Sequence, residues 1–289
     1  MKKAVFGPAG SETAFSEKYN SSLFMPGYLK DLGLDAFEYQ CGRGVNISDE
    51  KAAELGAKAS ENGIVISLHS PYFINLSNAD SERVERNVGY ILQSCRAVNK
   101  MGGDRVVVHC GGLSGRSREE AFRNTLINVK EALGALEATP DKNVSLCIET
   151  MGKVNVLGDL DEVLDICLTD DRLLPCIDFG HLNARTHGAL SDRGSFEAAL
   201  DRIINKLGKE RAERFHAHFS RIEFSTGGEV RHLTFENEEF GPSPDLISSL
   251  VKKKLYPTVI CESAGTQAHD AAILKDIYMT EVNKNDNAE

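Results

Sequence analysis

Short apolar runs recur along this chain, most of them roughly forty residues apart, about the length of one βα unit. Six of them end in a side chain that can bind a metal. They are Val65-Ile66-Ser67-Leu68-His69, Val106-Val107-Val108-His109, Leu146-Cys147-Ile148-Glu149, Pro175-Cys176-Ile177-Asp178, Phe215-His216-Ala217-His218 and Val259-Ile260-Cys261-Glu262. Together with runs near the N-terminus they give eight strand candidates, at 3–7, 35–40, 63–69, 104–109, 144–149, 174–178, 214–219 and 257–262. Helical periodicity fills the intervals. Residues 48–62 place Ala52, Ala53, Leu55 and Ala57 at helix spacing, and residues 80–101 align Val84, Val88, Ile91, Leu92, Cys95 and Val98 on one face. Ser117-Arg118-Glu119-Glu120 is a capping-box pattern, and Asp159 before Glu162 is a weaker one. Later helices are expected over 196–207, 245–255 and 269–282.

Regular alternation with no shift in composition predicts an α/β fold, one (β/α)8 TIM-barrel domain over residues 1–282, with 283–289 as a frayed tail. A doubly wound sheet fits less well. No Gly-rich turn follows the first strand, and the polar residues end nearly every strand instead of gathering at one switch point. In a closed parallel barrel the strand ends share one mouth, so six separate stretches would deliver imidazoles and carboxylates to one place.

Composition narrows the reading. A chain of 289 residues with 41% hydrophobic content, 7% aromatic content and no Trp packs an aliphatic core, as a parallel sheet under helices does. A formal net charge of −10 argues against a generally basic nucleic-acid binder. It leaves room for basic loops beside a site where metal cations neutralise phosphate. The seven cysteines form no CxxC pair, and their odd number fits a reducing compartment. The opening residues turn polar too soon for a signal peptide, and no run approaches a membrane span. The expectation is a cytoplasmic monomer with no membrane partner.

A lone His at a strand end is more often a structural hydrogen-bonding group than a ligand, so His69 and His109 weigh little singly. Glu149 and Glu262 each follow apolar residues, where an unpaired carboxylate is costly and a metal or an Arg is the natural counter-charge. Asp178 and His181, three apart across a strand-to-loop corner, suit two adjacent metals. His216 and His218 alternate along one strand and share a face; His218, at the strand end, is the expected ligand and His216 a packed neighbour. His187 and His269 read as surface residues. Arg116, Arg118, Arg185, Arg221 and Arg231 fall in loops on the ligand side and suggest an anionic substrate.

Two stretches carry a resemblance. His69-Ser70-Pro71-Tyr72-Phe73-Ile74-Asn75-Leu76 and Cys176-Ile177-Asp178-Phe179-Gly180-His181 resemble the His-x-x-Tyr-x-Ile-Asn-Leu and Cys-x-Asp-x-x-His motifs of the endonuclease IV family, within the xylose isomerase-like TIM-barrel superfamily. The resemblance extends over essentially the whole chain. It implies a zinc-dependent hydrolase of DNA repair that cuts DNA on the 5′ side of abasic sites. It implies two or three Zn2+ ions at the mouth, with Mn2+ as the alternative metal. His69 and His109 would hold the first ion and Glu149 would bridge the first and second. Asp178, His218 and Glu262 would hold the second, and His181 and His232 the third. Glu149 and Glu262 would also be the catalytic carboxylates, and Arg43, Tyr72, Arg221 and Arg231 would meet the DNA. Two departures stand out. His218-Phe219-Ser220-Arg221 replaces the family's His-x-Asn-Asp, and Val230 in Glu229-Val230-Arg231-His232 fills the slot of its third-metal Asp. Glu229 would have to reach in, or Arg231 would replace a metal with a fixed positive charge. The alternative reading is a divalent-metal sugar isomerase or epimerase of the same superfamily, using Glu149, Asp178, His218 (or His216) and Glu262 around one ion. A non-catalytic metal-binding barrel ranks third.

Overall fold

The computed structural model describes residues 2–286. Each apolar run becomes a strand: β1 (Val5–Pro8), β2 (Ala36–Gln40), β3 (Val65–His69), β4 (Arg105–His109), β5 (Ser145–Glu149), β6 (Leu173–Asp178) and β7 (His216–Phe219). A hairpin of β8 (Arg221–Ser225) and β9 (Gly228–Leu233) follows, and β10 (Thr258–Cys261) is the last strand of the barrel. Eight of the strands form one sheet in the order β1-β10-β7-β6-β5-β4-β3-β2, with parallel pairing throughout. The remaining seam, between β1 and β2, is joined by Asp35 N–H to Phe6 C=O at 3.1 Å, Gly10 N–H to Glu38 C=O at 2.9 Å, and a parallel bridge between Ala9 and Glu38. Gly7 permits this approach, because a Cβ there would lie 1.7 Å from the Ala36 carbonyl oxygen.

The long helices start where their caps place them. Asp80 caps Ser81–Lys100, and capping boxes built on Ser117 and Asp159 open Arg118–Glu137 and Leu160–Cys167. Their apolar faces and the outer faces of the strands form the main core, with Phe6, Phe37, Phe179, Phe196, Phe215 and Phe219 fully buried. The barrel interior is partly polar: Glu38, Ser67, His216 and His218 lie beneath the mouth with 1% exposure or less. Helices Thr13–Lys18, Met25–Asp31 and Phe179–Arg185 and the β8–β9 hairpin add to the expected pattern. The closing helix, Gln267–Asp286, runs past the expected boundary at 282, so the tail is helical as far as it is described; residues 287–289 lie outside the described residues. No described helix is long and apolar enough to cross a membrane.

Candidate metal centre

The register of the barrel sets the strand ends side by side. His109 pairs with Glu149 and Asp178 with His218. The mouth therefore gathers three groups of donors, the ligand atoms of each within 4.8 Å of one another: His69, His109 and Glu149; Glu149, Asp178, His218 and Glu262; and His181, Glu229 and His232. Glu149 joins the first two. Its Oε2 lies 3.2 Å from His69 Nε2 and 3.0 Å from His109 Nε2, and its Oε1 lies 3.2 Å from His218 Nδ1 and 3.5 Å from His181 Nδ1. A cavity of about 460 Å³ opens above, lined by Gln40, Tyr72, Met151, Lys153 and Val156 as well as by all the donors except the fully buried Asp178 and His218. A groove of about 810 Å³ on the outer helical layer, beside Arg118, Glu162 and Leu182, touches none of the strand-end donors.

Second partners aim the rings. Nδ1 of His69, His109 and His181 faces the carbonyl oxygens of Ser70, Tyr72 and Thr150 at 2.8, 3.2 and 2.9 Å. Asp178 ends β6 and caps Phe179–Arg185, its Oδ1 accepting from His181 N–H at 2.7 Å. The spacing of Asp178 and His181 is thus a helix cap, and the same cap presents the His181 ring to the mouth. Ser220, in the slot of the family's Asn, has its Oγ 2.9 Å from His232 Nδ1, leaving His232 Nε2 towards Glu229.

The Val230 departure resolves through the hairpin. Glu223 pairs with Arg231 and Phe224 with Glu229, so Val230 is the extra residue of a register slip. Such a bulge reverses the alternation of faces. Glu229 therefore turns to the side of His232, and its Oε2 lies 3.5 Å from His181 Nε2, while Val230 is 52% exposed. Gly152 makes the space, since a Cβ there would lie 2.6 Å from Glu229 Cβ and 2.9 Å from His181 Cδ2.

The electrostatics are those of a carboxylate cluster held by imidazoles. Burial pushes the Glu149 carboxyl up, but His109, His181 and His218 outweigh it and hold it well below the usual range. Burial opposes His218 and His232 in the same way at Glu262, which is held at about 2. Asp178 goes the other way, raised by burial and by Glu262 and Glu149 despite the opposing effect of His181. Its Oδ2 is buried and forms no hydrogen bond, although His181 Nδ1 lies 3.1 Å away. That orphaned oxygen, the room left at Gly152 and the imidazole–carboxylate donor sets all fit divalent ions of the zinc type.

The basic residues divide differently from expectation. Arg43 is exposed on the loop after β2 and does not line the cavity. Tyr72 lines it and is 57% exposed. Arg221 is turned to the Asn237 carbonyl, and Arg231 is exposed and paired with Glu223 at 2.7 Å, so neither borders the cavity; the same bulge that brings Glu229 in leaves Arg231 outside. Arg118 pairs with Glu162, and Arg185 donates to four carbonyls of the loop after β5. Lys153 is the cation on the cavity wall. No motif in the sequence marks it. His187 and His269 are outside the cluster, His269 being paired with Glu12.

A parallel (β/α)8 barrel with imidazoles and carboxylates converging on its mouth defines the class of this protein. Residues 27–279 match the family model described as xylose isomerase-like TIM barrel, and the chain belongs to that family. An uncharacterized protein of Methanocaldococcus jannaschii is 34% identical over 274 residues, covering 95% of this chain and 96% of that protein. A probable endonuclease 4 of Acholeplasma laidlawii is 29% identical over 167 residues, 55% of each. Among solved structures, a D-tagatose 3-epimerase-like protein superposes with a TM-score of 0.72 at 20% identity, covering 99% of both chains. Endonuclease IV from Thermus thermophilus gives 0.71 at 17% identity, covering 98% of this chain and 100% of that one. The structural likenesses establish the fold and do not separate the two activities.

Proposed function

We propose that this protein is a zinc-dependent phosphodiesterase of the endonuclease IV type that cleaves DNA on the 5′ side of abasic sites. The observation that carries the reading is the set of three donor groups, with Glu149 shared between two of them. A single-ion sugar isomerase or epimerase needs only Glu149, Asp178, His218 and Glu262. It gives no task to His69 and His109 on one side or to His181, Glu229 and His232 on the other. The sequence likeness to a probable endonuclease 4 points the same way.

Bound divalent ions would supply a nucleophile near neutral pH and an electrophile for phosphoryl oxygens. The chain's residues do the rest. Glu149 and Glu262 both line the cavity and both approach His218 Nδ1, where either can orient the attacking water and hold its proton. Tyr72, at the cavity edge, offers a ring for an unstacked base or sugar. Lys153 offers the positive charge for a flanking phosphate.

The deciding experiment loads the purified protein with zinc and presents a duplex carrying one tetrahydrofuran abasic analogue. The expected result is a single cut leaving a 3′ hydroxyl, with two or three ions per chain by elemental analysis. One ion per chain, no cleavage, and interconversion of ketoses at C3 would establish the epimerase reading instead.

A further inference from the structure

Three of the mouth histidines present the same edge. Nδ1 of His69, His109 and His181 faces a carbonyl oxygen, which only accepts. The proton therefore sits on Nδ1, and Nε2 keeps its lone pair for the cluster. His218 is turned the other way. Its Nδ1 faces the cluster, 3.2 Å from Glu149 Oε1 and 3.5 Å from Glu262 Oε2. Its Nε2 points down into the barrel, 3.1 Å from Glu38 Oε1. For His218 to ligate through Nδ1, the proton has to be kept on Nε2.

We propose that Glu38 is the positioning residue of the second metal site, its buried carboxylate holding the His218 proton on Nε2 and so keeping Nδ1 a ligand. This rests on reading His218 as a ligand. Glu38 projects from β2, is fully buried, and is not among the donors at the mouth. Ser67 Oγ donates to its Oε2 at 3.0 Å and Gln40 Nε2 to its Oε1 at 3.1 Å, so the carboxylate is fixed from its own strand and the next. His216 Nε2 lies 2.8 Å from Oε2. Neither imidazole aligns with Glu38 as a full hydrogen bond, and the Cys176 thiol lies beside the His218 ring as a second polar neighbour. The selection is therefore Coulombic. A proton on Nε2 faces a negative charge in a buried setting, whereas a lone pair there would face like charge. At His69, His109 and His181 a backbone carbonyl does this work; here it falls to a carboxylate, the pattern of a carboxylate–histidine–metal triad.

The test uses Glu38→Gln, with His216→Gln as the control for changes in core packing and His218→Ala as the control for the ligand. The first measurement is the tautomer of His218 in the metal-free wild-type protein by nitrogen-15 NMR, at a pH where the ring is neutral. The expected result is Nε2–H. A ring found as Nδ1–H overturns the proposal whether or not any variant folds. The second is zinc affinity by chelator competition, on variants with wild-type circular dichroism. Glu38→Gln is expected to weaken one ion roughly 10- to 100-fold, the usual loss for an outer partner of a ligand. His216→Gln is expected to leave that affinity unchanged, and His218→Ala to lose the same ion. Equal weakening by His216→Gln would trace the effect to packing and overturn the proposal. Unchanged affinity in Glu38→Gln, with loss in His218→Ala, overturns it while leaving the metal reading intact. Unchanged metal content in His218→Ala overturns the reading of His218 itself.

Discussion

Glu149 concentrates more of the site than any other side chain: four imidazoles lie within 3.5 Å of its two oxygens. Glu149→Gln removes one charge between two donor groups and gives one of them an amide nitrogen. The expected outcome is loss of more than one ion per chain by elemental analysis and a fall in cleavage of at least about a hundredfold, with the fold intact by circular dichroism. Near wild-type turnover and metal content in the variant would contradict the shared role. Glu229 makes a finer case. The bulge at Val230 carries it to the face of His232, so Glu229→Ala should remove about one ion while leaving the other positions filled. Arg231→Asp should leave the stoichiometry unchanged, because Arg231 points away and pairs with Glu223. A gain of metal in Arg231→Asp would mean that Val230 and Arg231 exchange faces in solution.

At the scale of elements, the barrel strands are legible because each is a short apolar run, and their ends because each run stops at a polar donor. The hairpin is not, although Ile222 and Phe224 alternate with polar residues ahead of Gly227 and Gly228. A two-stranded ribbon with one face on the barrel lacks the continuous apolar run that marks a buried strand. Glu229 is illegible for a related reason: a one-residue slip in register changes which face a side chain takes, and spacing alone does not record it. Glu38 escapes because a carboxylate in mid-strand reads as an outward residue unless its partners are known. The loop after β5 depends on contacts of the same long-range kind. Arg185 donates to the carbonyls of Met151, Lys153, Val154 and Val156, and the loop is stitched to the hairpin through Val154 N–H to Gly227 C=O at 3.1 Å and Glu229 N–H to Gly152 C=O at 3.1 Å. Arg185→Ala should therefore cost about 2 kcal/mol in denaturant unfolding and speed amide exchange over 151–158. It should also weaken the ion at His181 and His232, since the loop backs Glu229. Wild-type exchange over 151–158 would show that the loop holds itself.

For the whole molecule, the core and the site are separate sources of stability. The apolar contacts lie between strands and helices, and the donors sit at one rim. Chelation is therefore expected to abolish cleavage while leaving circular dichroism unchanged, with a lower Tm. A chelated protein that unfolds at room temperature would place the metals in the fold's foundations.

The pH dependence separates the two states further. In the metal-free protein burial pushes His69 down, but Glu149, with Glu38 and Glu262 behind it, outweighs burial and lifts it to about 9. A folded value above the unfolded one contributes stability that is complete below about 6.5 and lost as the pH rises through about 9. Glu262, held at about 2, contributes stability that is complete above about 4.3 and lost as the pH falls through about 2. These two groups make the metal-free Tm decline above about pH 6.5 and below about 4.3, and His216, whose proton affinity burial lowers, adds to the loss on the acid side. Metal reverses the alkaline limb, because ligating imidazoles give up the same proton and affinity rises with pH. Ligand at about a hundred times its dissociation constant adds about 2.7 kcal/mol, and more as that constant falls. Thermal melts with and without zinc, from about pH 6 to 8.5, should show the gap in Tm widening with pH. A gap that narrows over that range would mean that the imidazoles of the mouth are not the groups exchanging protons for metal.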